Sequence, residues 1–104
     1  QRIAIARALL IKPNILVLDD AFSSLDAETE DNILSSIRDF TIGATTLMVS
    51  HRLSAVCKAD RIIVINDGRI IEDGTHSELI RLNGGYAQTY KNQSLAMEME
   101  ITLQ

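Results

Sequence analysis

The feature that most restricts this chain is the run Ile15-Leu16-Val17-Leu18-Asp19-Asp20, four apolar residues without interruption, closed by two carboxylates. A strand with one wet face alternates apolar and polar residues. An unbroken apolar run bounded by turn signals suits a strand covered on both faces, as in a parallel sheet flanked by helices. Pro13 lies just upstream and stops any helix arriving from the N-terminal side.

The rest of the chain reads in the same idiom. Gln1 to Leu10 has Ile3, Ala6, Leu9 and Leu10 near helical spacing. Asp26 is placed to cap a second helix, with Glu28, Glu30 and Asp31 crowding its first turn, where the helix dipole favours negative charge. Ile33, Leu34, Ile37 and Phe40 form its expected buried stripe, and Gly43 ends the segment. Thr45 to Ser50 is expected to be a second buried strand, followed by a short helical stretch over Ser54 to Ala59. Arg61 to Asn66 makes a third strand, Asp67-Gly68 a tight turn, and Arg69 to Glu72 the return strand. Thr75 and Glu78 have capping-box spacing before Leu79, Ile80 and Leu82, and Gly84-Gly85 is expected to end that helix. Tyr86 and Tyr90, four apart, are expected to share a helical face. From Ser94 onward no period is visible, so residues 93–104 are expected to form a frayed tail beyond a domain spanning 1–92. The alternation of strands and helices predicts an α/β fold with a mainly parallel sheet, flanking helices and a C-terminal β-hairpin.

Composition narrows the function. At 104 residues, 46% apolar and 23% charged, the chain is one globular domain at most. Its ten Lys and Arg are scattered and its net charge is −4, which speaks against a nucleic-acid surface. The single Cys57 permits no internal disulfide and reads as a small packing residue in a reducing setting. No apolar run approaches the roughly 18 residues of a membrane span. The chain begins with Gln1 rather than Met, so the start of the gene product, and any targeting signal on it, is expected upstream.

The apolar run ending in acid is also a Walker B pattern. A buried strand delivers a carboxylate at its C-terminal end, where open α/β sheets place ligands. Mg²⁺ on a nucleotide takes oxygen ligands, often through water, and Asp19 is the candidate for that role. Alone, this pattern is weak. In context it is not, because QRIAIARALL (Gln1–Leu10) precedes it, Ser23-Ser24-Leu25-Asp26 follows it, and Ser50-His51-Arg52 closes the next strand. With DRIIVINDGRIIEDGTHSEL (Asp60–Leu79), these segments resemble the ATPase domain of ABC exporters, in the same order, over roughly Gln1 to Asn92. The resemblance implies the C-terminal part of a P-loop NTPase domain, starting just after that family's signature loop. It implies ATP and Mg²⁺ as ligands, with Asp19 holding Mg²⁺ through water and His51 reaching the γ-phosphate. Ser23, Ser24, Leu25 and Asp26 would then meet a second ATPase domain across an ATP sandwich. A transmembrane domain, on the same or an associated chain, and a place at the cytoplasmic face of a membrane are implied likewise.

Two departures matter. Position 20 is Asp, where the family usually has the glutamate that polarises the attacking water. The shorter side chain sets its carboxylate back by about 1 Å, and misplacement on that scale costs about a hundredfold in rate. A general base must lie within hydrogen-bond reach of the proton it takes. Asp20 therefore points to a slow or non-hydrolytic site, as in one half of heterodimeric exporters, with a different ATPase domain as partner; a nucleotide clamp without turnover, or a non-transport relative, are the alternatives. Secondly, no glycine is followed by Lys, so the chain has no phosphate-cradling G-x-x-x-x-G-K-[ST] loop and is expected to be inactive alone. The transported substrate is not encoded in these residues.

Overall fold

A computed structural model describes residues 2–103 of the chain. The chain divides into two compact units, Gln1–His51 and Arg52–Gln104.

The first unit is built from α1 (Arg2–Leu10), β1 (Ile15–Asp19), α2 (Ala27–Phe40) and β2 (Thr45–Val49). The strands pair in parallel, Ile15 opposite Thr45 through Asp19 opposite Val49, and α2 is the crossover between them. The core consists of Ile5 from α1, Leu16 and Leu18 from β1, Phe22 from the following turn, and Ile37 from α2, with Leu25, Ile33, Leu34 and Met48 packed around it. Burial of each large apolar side chain here contributes about 1.5–3 kcal/mol.

Four expectations about this unit are corrected. β1 buries one face only: Leu16 and Leu18 point inward, while Ile15 is 65% and Val17 57% exposed. β2 is exposed along most of its length, Leu47 and Val49 included, and only Met48 turns inward. The pair's second face has no covering layer among the described residues, so the continuous apolar run stands half wet. Phe40 also leaves the expected stripe, at 78% exposed in the last turn of α2. Only Glu28 and Glu30 fall in that helix's first turn; Asp31 lies beyond it.

The second unit contains α3 (Leu53–Val56), the antiparallel hairpin β3 (Ile62–Asn66) and β4 (Arg69–Gly74), α4 (His76–Leu82) and α5 (Gly85–Leu103). Asp67 and Gly68 both have positive φ, 49° and 73°, which is the two-residue turn whose twist suits a hairpin. A bidentate Arg61–Asp73 pair ties the open end of the hairpin, with Nε–Oδ1 at 2.7 Å. Thr75 and Glu78 form the expected capping box: Thr75 Oγ1 accepts from the Glu78 amide, and the Glu78 carboxylate accepts from the Thr75 amide. The helix ends at Asn83 in the left-handed region, one residue before the glycines expected to stop it.

Gly84 and Gly85 have a different purpose. The Glu72 carboxylate lies over them, and its Oε2 accepts from the Tyr86 amide at 3.1 Å. A Cβ at Gly84 would stand 3.0 Å from Glu72 Oε1. A carboxylate at the first turn of a helix meets both unpaired amides and the positive end of the dipole. Leu79, Ile62 and Tyr86 form the small core of this unit. Tyr86 and Tyr90 do share a face, their rings stacked at 6.4 Å, and His76 meets both edge-on, its Nδ1 2.8 Å from the Tyr86 hydroxyl. Burial pushes the Tyr86 phenol up to about 12, with smaller contributions from Cys57 and Tyr90. Helix α5 continues to Leu103, so the segment expected to be frayed is helical in backbone. Leu95, Met97 and Met99 are exposed on it, and this explains why no apolar stripe betrayed the helix.

Candidate functional site

The parallel register brings the chemistry-bearing residues together. Asp19 is the last residue of β1 and is paired with Val49, the last of β2. Asp20 adds one more rung, its amide donating to the Val49 carbonyl at 2.8 Å. His51 follows two residues after Val49. Asp19, Asp20 and His51 thus stand at the carboxyl ends of two adjacent strands, which lie about 4.8 Å apart in any sheet. All three are exposed. A ligand there meets carboxylates from one strand and an imidazole from the next.

The chain leaves β1 sharply. Asp20 adopts a left-handed backbone with φ 52°. Asp and Asn tolerate this region better than other residues with a Cβ, because a short polar side chain can bond locally. The chain then folds through two tight turns, Ser23 amide to Asp20 carbonyl at 3.5 Å and Leu25 amide to Phe22 carbonyl at 3.0 Å. Phe22 is buried and Leu25 half-buried, both on the core, which leaves Ser23, Ser24 and Asp26 facing outward. Of the four residues expected to face a partner, Leu25 therefore serves chiefly as an anchor.

Asp26 sits at the N-cap of α2 with φ −73° and ψ 162°, but its side chain makes no capping hydrogen bond. Its carbonyl begins the helix by accepting from Glu30. Phe22 was missed in the sequence. Its signal was an aromatic between an acid pair and two serines, too short a context to carry periodicity.

Among the described residues no group of three or more His, Cys, Asp or Glu is arranged to hold a metal unaided. Asp19, one exposed carboxylate at a strand end, fits a Mg²⁺ held partly by water and phosphate oxygens rather than by a protein cage. An apolar groove of about 440 Å³ between α1 and α2, lined by Ile5, Leu9, Ile33 and Phe40 among others, includes none of these site residues.

A βαβ unit with acid and imidazole at its strand ends presents them where open α/β sheets place ligands. Comparison with known proteins places it more closely. The chain is 49% identical over 98 residues to the ABC transporter aclQ of Aspergillus oryzae, covering 94% of this chain and 12% of that protein. It is 52% identical over 95 residues to "Probable multidrug resistance ABC transporter ATP-binding/permease protein YheI" of Bacillus subtilis, covering 91% of this chain and 16% of that protein. It is 50% identical over 91 residues to the ATP-dependent lipid A-core flippase of Alcanivorax borkumensis, covering 88% and 16% respectively. A solved bacterial Atm1-family ABC exporter with ATP bound superposes with a TM-score of 0.85 at 43% identity, over 88% of this chain and 16% of that one. No protein-family model matches the chain. The chain is a homologue of the ABC exporters, and it spans between 12% and 16% of the length of these relatives.

Proposed function

We propose that the chain is part of the ATP-binding and ATP-hydrolysing domain of an ABC exporter that drives a substrate across a membrane. The observation that carries this reading is the Asp20–Val49 rung, because it sets Asp19, Asp20 and His51 at one end of a parallel pair. The homology supports transport as the purpose. The reaction is phosphoryl transfer from ATP to water, catalysed by positioning and by electrostatic stabilisation of the phosphoryl oxygens. Bound Mg²⁺ supplies charge neutralisation at the phosphates, and Asp19 holds it through water. Asp20 faces the attacking water, and His51 contacts the γ-phosphate. Ser23, Ser24 and Asp26, with Leu25 as their anchor, meet a second ATPase domain. The chain acts at the cytoplasmic face of a membrane, coupled to a transmembrane domain; among its own described residues no helix is long and apolar enough to cross one.

Within this reading the site is slow, and its partner is a different ATPase domain with the efficient site. Asp20 supports this, since its carboxylate is one methylene short of the usual glutamate. Without a phosphate loop of its own, the chain alone binds MgATP poorly and does not turn it over. ATP turnover and ATP binding by the complete transporter with its partner test this, with the parent compared to Asp20→Glu and Asp20→Asn. A rise of about tenfold or more in Asp20→Glu, with binding unchanged, is expected for a site held back by a short carboxylate. No change in Asp20→Glu together with loss of activity in Asp20→Asn would show that Asp20 already works as the catalytic carboxylate, and the slow-site reading would be abandoned.

A further inference from the structure

Asp20 stands in a sparsely populated conformation. Its backbone is left-handed, φ 52°, and a residue with a Cβ persists there only where its surroundings hold it. Its side chain is exposed, so no packing of its own fixes the carboxylate. Where that carboxylate stands depends on what holds the backbone on either side.

Upstream, β1 and the rung from the Asp20 amide to the Val49 carbonyl, 2.8 Å, fix the end of the strand. Downstream, the bond that closes the first turn is a poor one. The Ser23 amide lies 3.5 Å from the Asp20 carbonyl, at the outer edge of hydrogen-bond length. Phe22 supplies a firmer hold. Its side chain is 5% exposed and belongs to the core formed with Ile5, Leu16, Leu18 and Ile37. Its carbonyl accepts from the Leu25 amide at 3.0 Å, and Ala21 and Leu25 pack against the same core. Leu16 and Leu18 are themselves on β1. Only Asp19, Asp20 and Ala21 lie between the buried Leu18 and the buried Phe22, so the site carboxylates ride on a three-residue arch pinned to the core at both feet. Every residue of this arrangement belongs to the first compact unit.

We propose that Phe22 is a positioning residue for Asp20: by burying its ring in the core, it holds the left-handed turn and so sets where the Asp20 carboxylate stands. This rests on the reading of Asp20 as the carboxylate that faces the attacking water.

The test measures kcat and KM for ATP in the complete transporter with its partner. The quantity read is the turnover that a carboxylate at position 20, Asp in the parent or Glu in Asp20→Glu, adds over Asp20→Asn. Into each of these three backgrounds are placed Phe22→Ala, which loses the ring, and Phe22→Leu, which keeps an apolar anchor. Ile37→Ala is the control: it opens a comparable cavity in the same core, on α2 and away from the turn. Unfolding midpoints are taken alongside, and Phe22→Val, with its smaller cavity, carries the comparison where Phe22→Ala does not fold.

Phe22→Ala is expected to lower the turnover owed to the carboxylate about tenfold or more, with KM within about twofold, since misplacement by about 1 Å costs on the order of a hundredfold. Phe22→Leu is expected to stay within about threefold of the parent, and Ile37→Ala within about twofold. In the Asp20→Asn background Phe22→Ala is expected to cost nothing further, the non-additivity of two residues acting through one group. Equal losses in Phe22→Ala and Ile37→Ala, or a loss in Phe22→Ala that persists in Asp20→Asn, would reduce Phe22 to ordinary core packing and overturn its role while that of Asp20 stands. If neither Asp nor Glu at position 20 adds turnover over Asn, the reading of Asp20 fails and this proposal fails with it.

Discussion

The clasp between Glu72 and the start of α5 can be tested by adding a single methyl group. In Gly84→Ala the new Cβ would meet Glu72 Oε1 at 3.0 Å, Cδ at 3.3 Å and Oε2 at 3.4 Å, so the whole carboxylate has to give by a few tenths of an ångström. It is not at liberty to do so cheaply, because Oε2 is bonded to the Tyr86 amide. Oε1 is already buried with no hydrogen-bond partner, so the carboxylate depends on that one amide contact. A hydrogen bond to a charged group is worth about 1.5–3 kcal/mol, and a strained one retains part of this. Against the loss stands the gain of about 0.4–1 kcal/mol from replacing Gly by Ala at a backbone conformation Ala can adopt. Gly84 does not have positive φ, so that gain applies. The net expectation is a destabilisation of the α5 junction by about 1 kcal/mol, close to a fivefold change in the local opening equilibrium. Amide hydrogen exchange of peptides covering residues 84–93 in the complete protein reads this directly. The decisive control is the cycle with Glu72→Ala, which removes the carboxylate the methyl would strike. In that background Gly84→Ala is expected to be neutral or slightly stabilising. Additive effects, with Gly84→Ala equally costly whether or not Glu72 is present, would refute the clasp.

The phenol of Tyr86 gives a pH test. Its folded value of about 12 lies above the ordinary 10, so the unfolded chain releases this proton first. The stability involved is fully present below pH 10 and is lost as pH rises from 10 through 12. Denaturant midpoints across that window should fall less steeply in Tyr86→Phe than in the parent. In the first core, Leu16→Ala should cost about 2–5 kcal/mol, since Leu16 is 3% exposed, whereas Val17→Ala on the open face should cost far less by the same unfolding measurement. The left-handed turn at Asp20 predicts that Asp20→Gly and Asp20→Asn leave stability nearly unchanged, while Asp20→Val lowers it by about 1–2 kcal/mol.

What could be read from sequence and what could not divide along the range of the forces involved. The strand end at Asp19, the Asp67-Gly68 turn and the Thr75–Glu78 box were legible because each is decided within four or five residues. The backbone supplies the geometry there, and the side chains need only the right type. The placing of His51 and Asp19 at the same end of the strand pair was legible one level up. A crossover through α2 makes parallel strands of two apolar runs, and the ends of parallel strands then coincide whatever the helix between them contains. The burial of those strands was not legible. Ile15, Val17, Leu47 and Val49 carry a composition suited to cover on both faces, but cover is supplied by other elements, and a run of valines holds no record of whether they are there. The same holds for Phe40, which continues the helical spacing of Ile33 and Ile37 past the point where a packing surface exists. Gln93 is the sharpest case. Its neighbours show no period, its residue type is common on helix surfaces, and the amide that donates to its side-chain oxygen, that of Leu53, lies 40 residues upstream. A residue whose purpose is a single non-local hydrogen bond leaves no local trace. Long-range anchors of this kind are therefore what a sequence reading misses most readily, whereas the strand ends at Asp19 and Val49 declare themselves within a few residues.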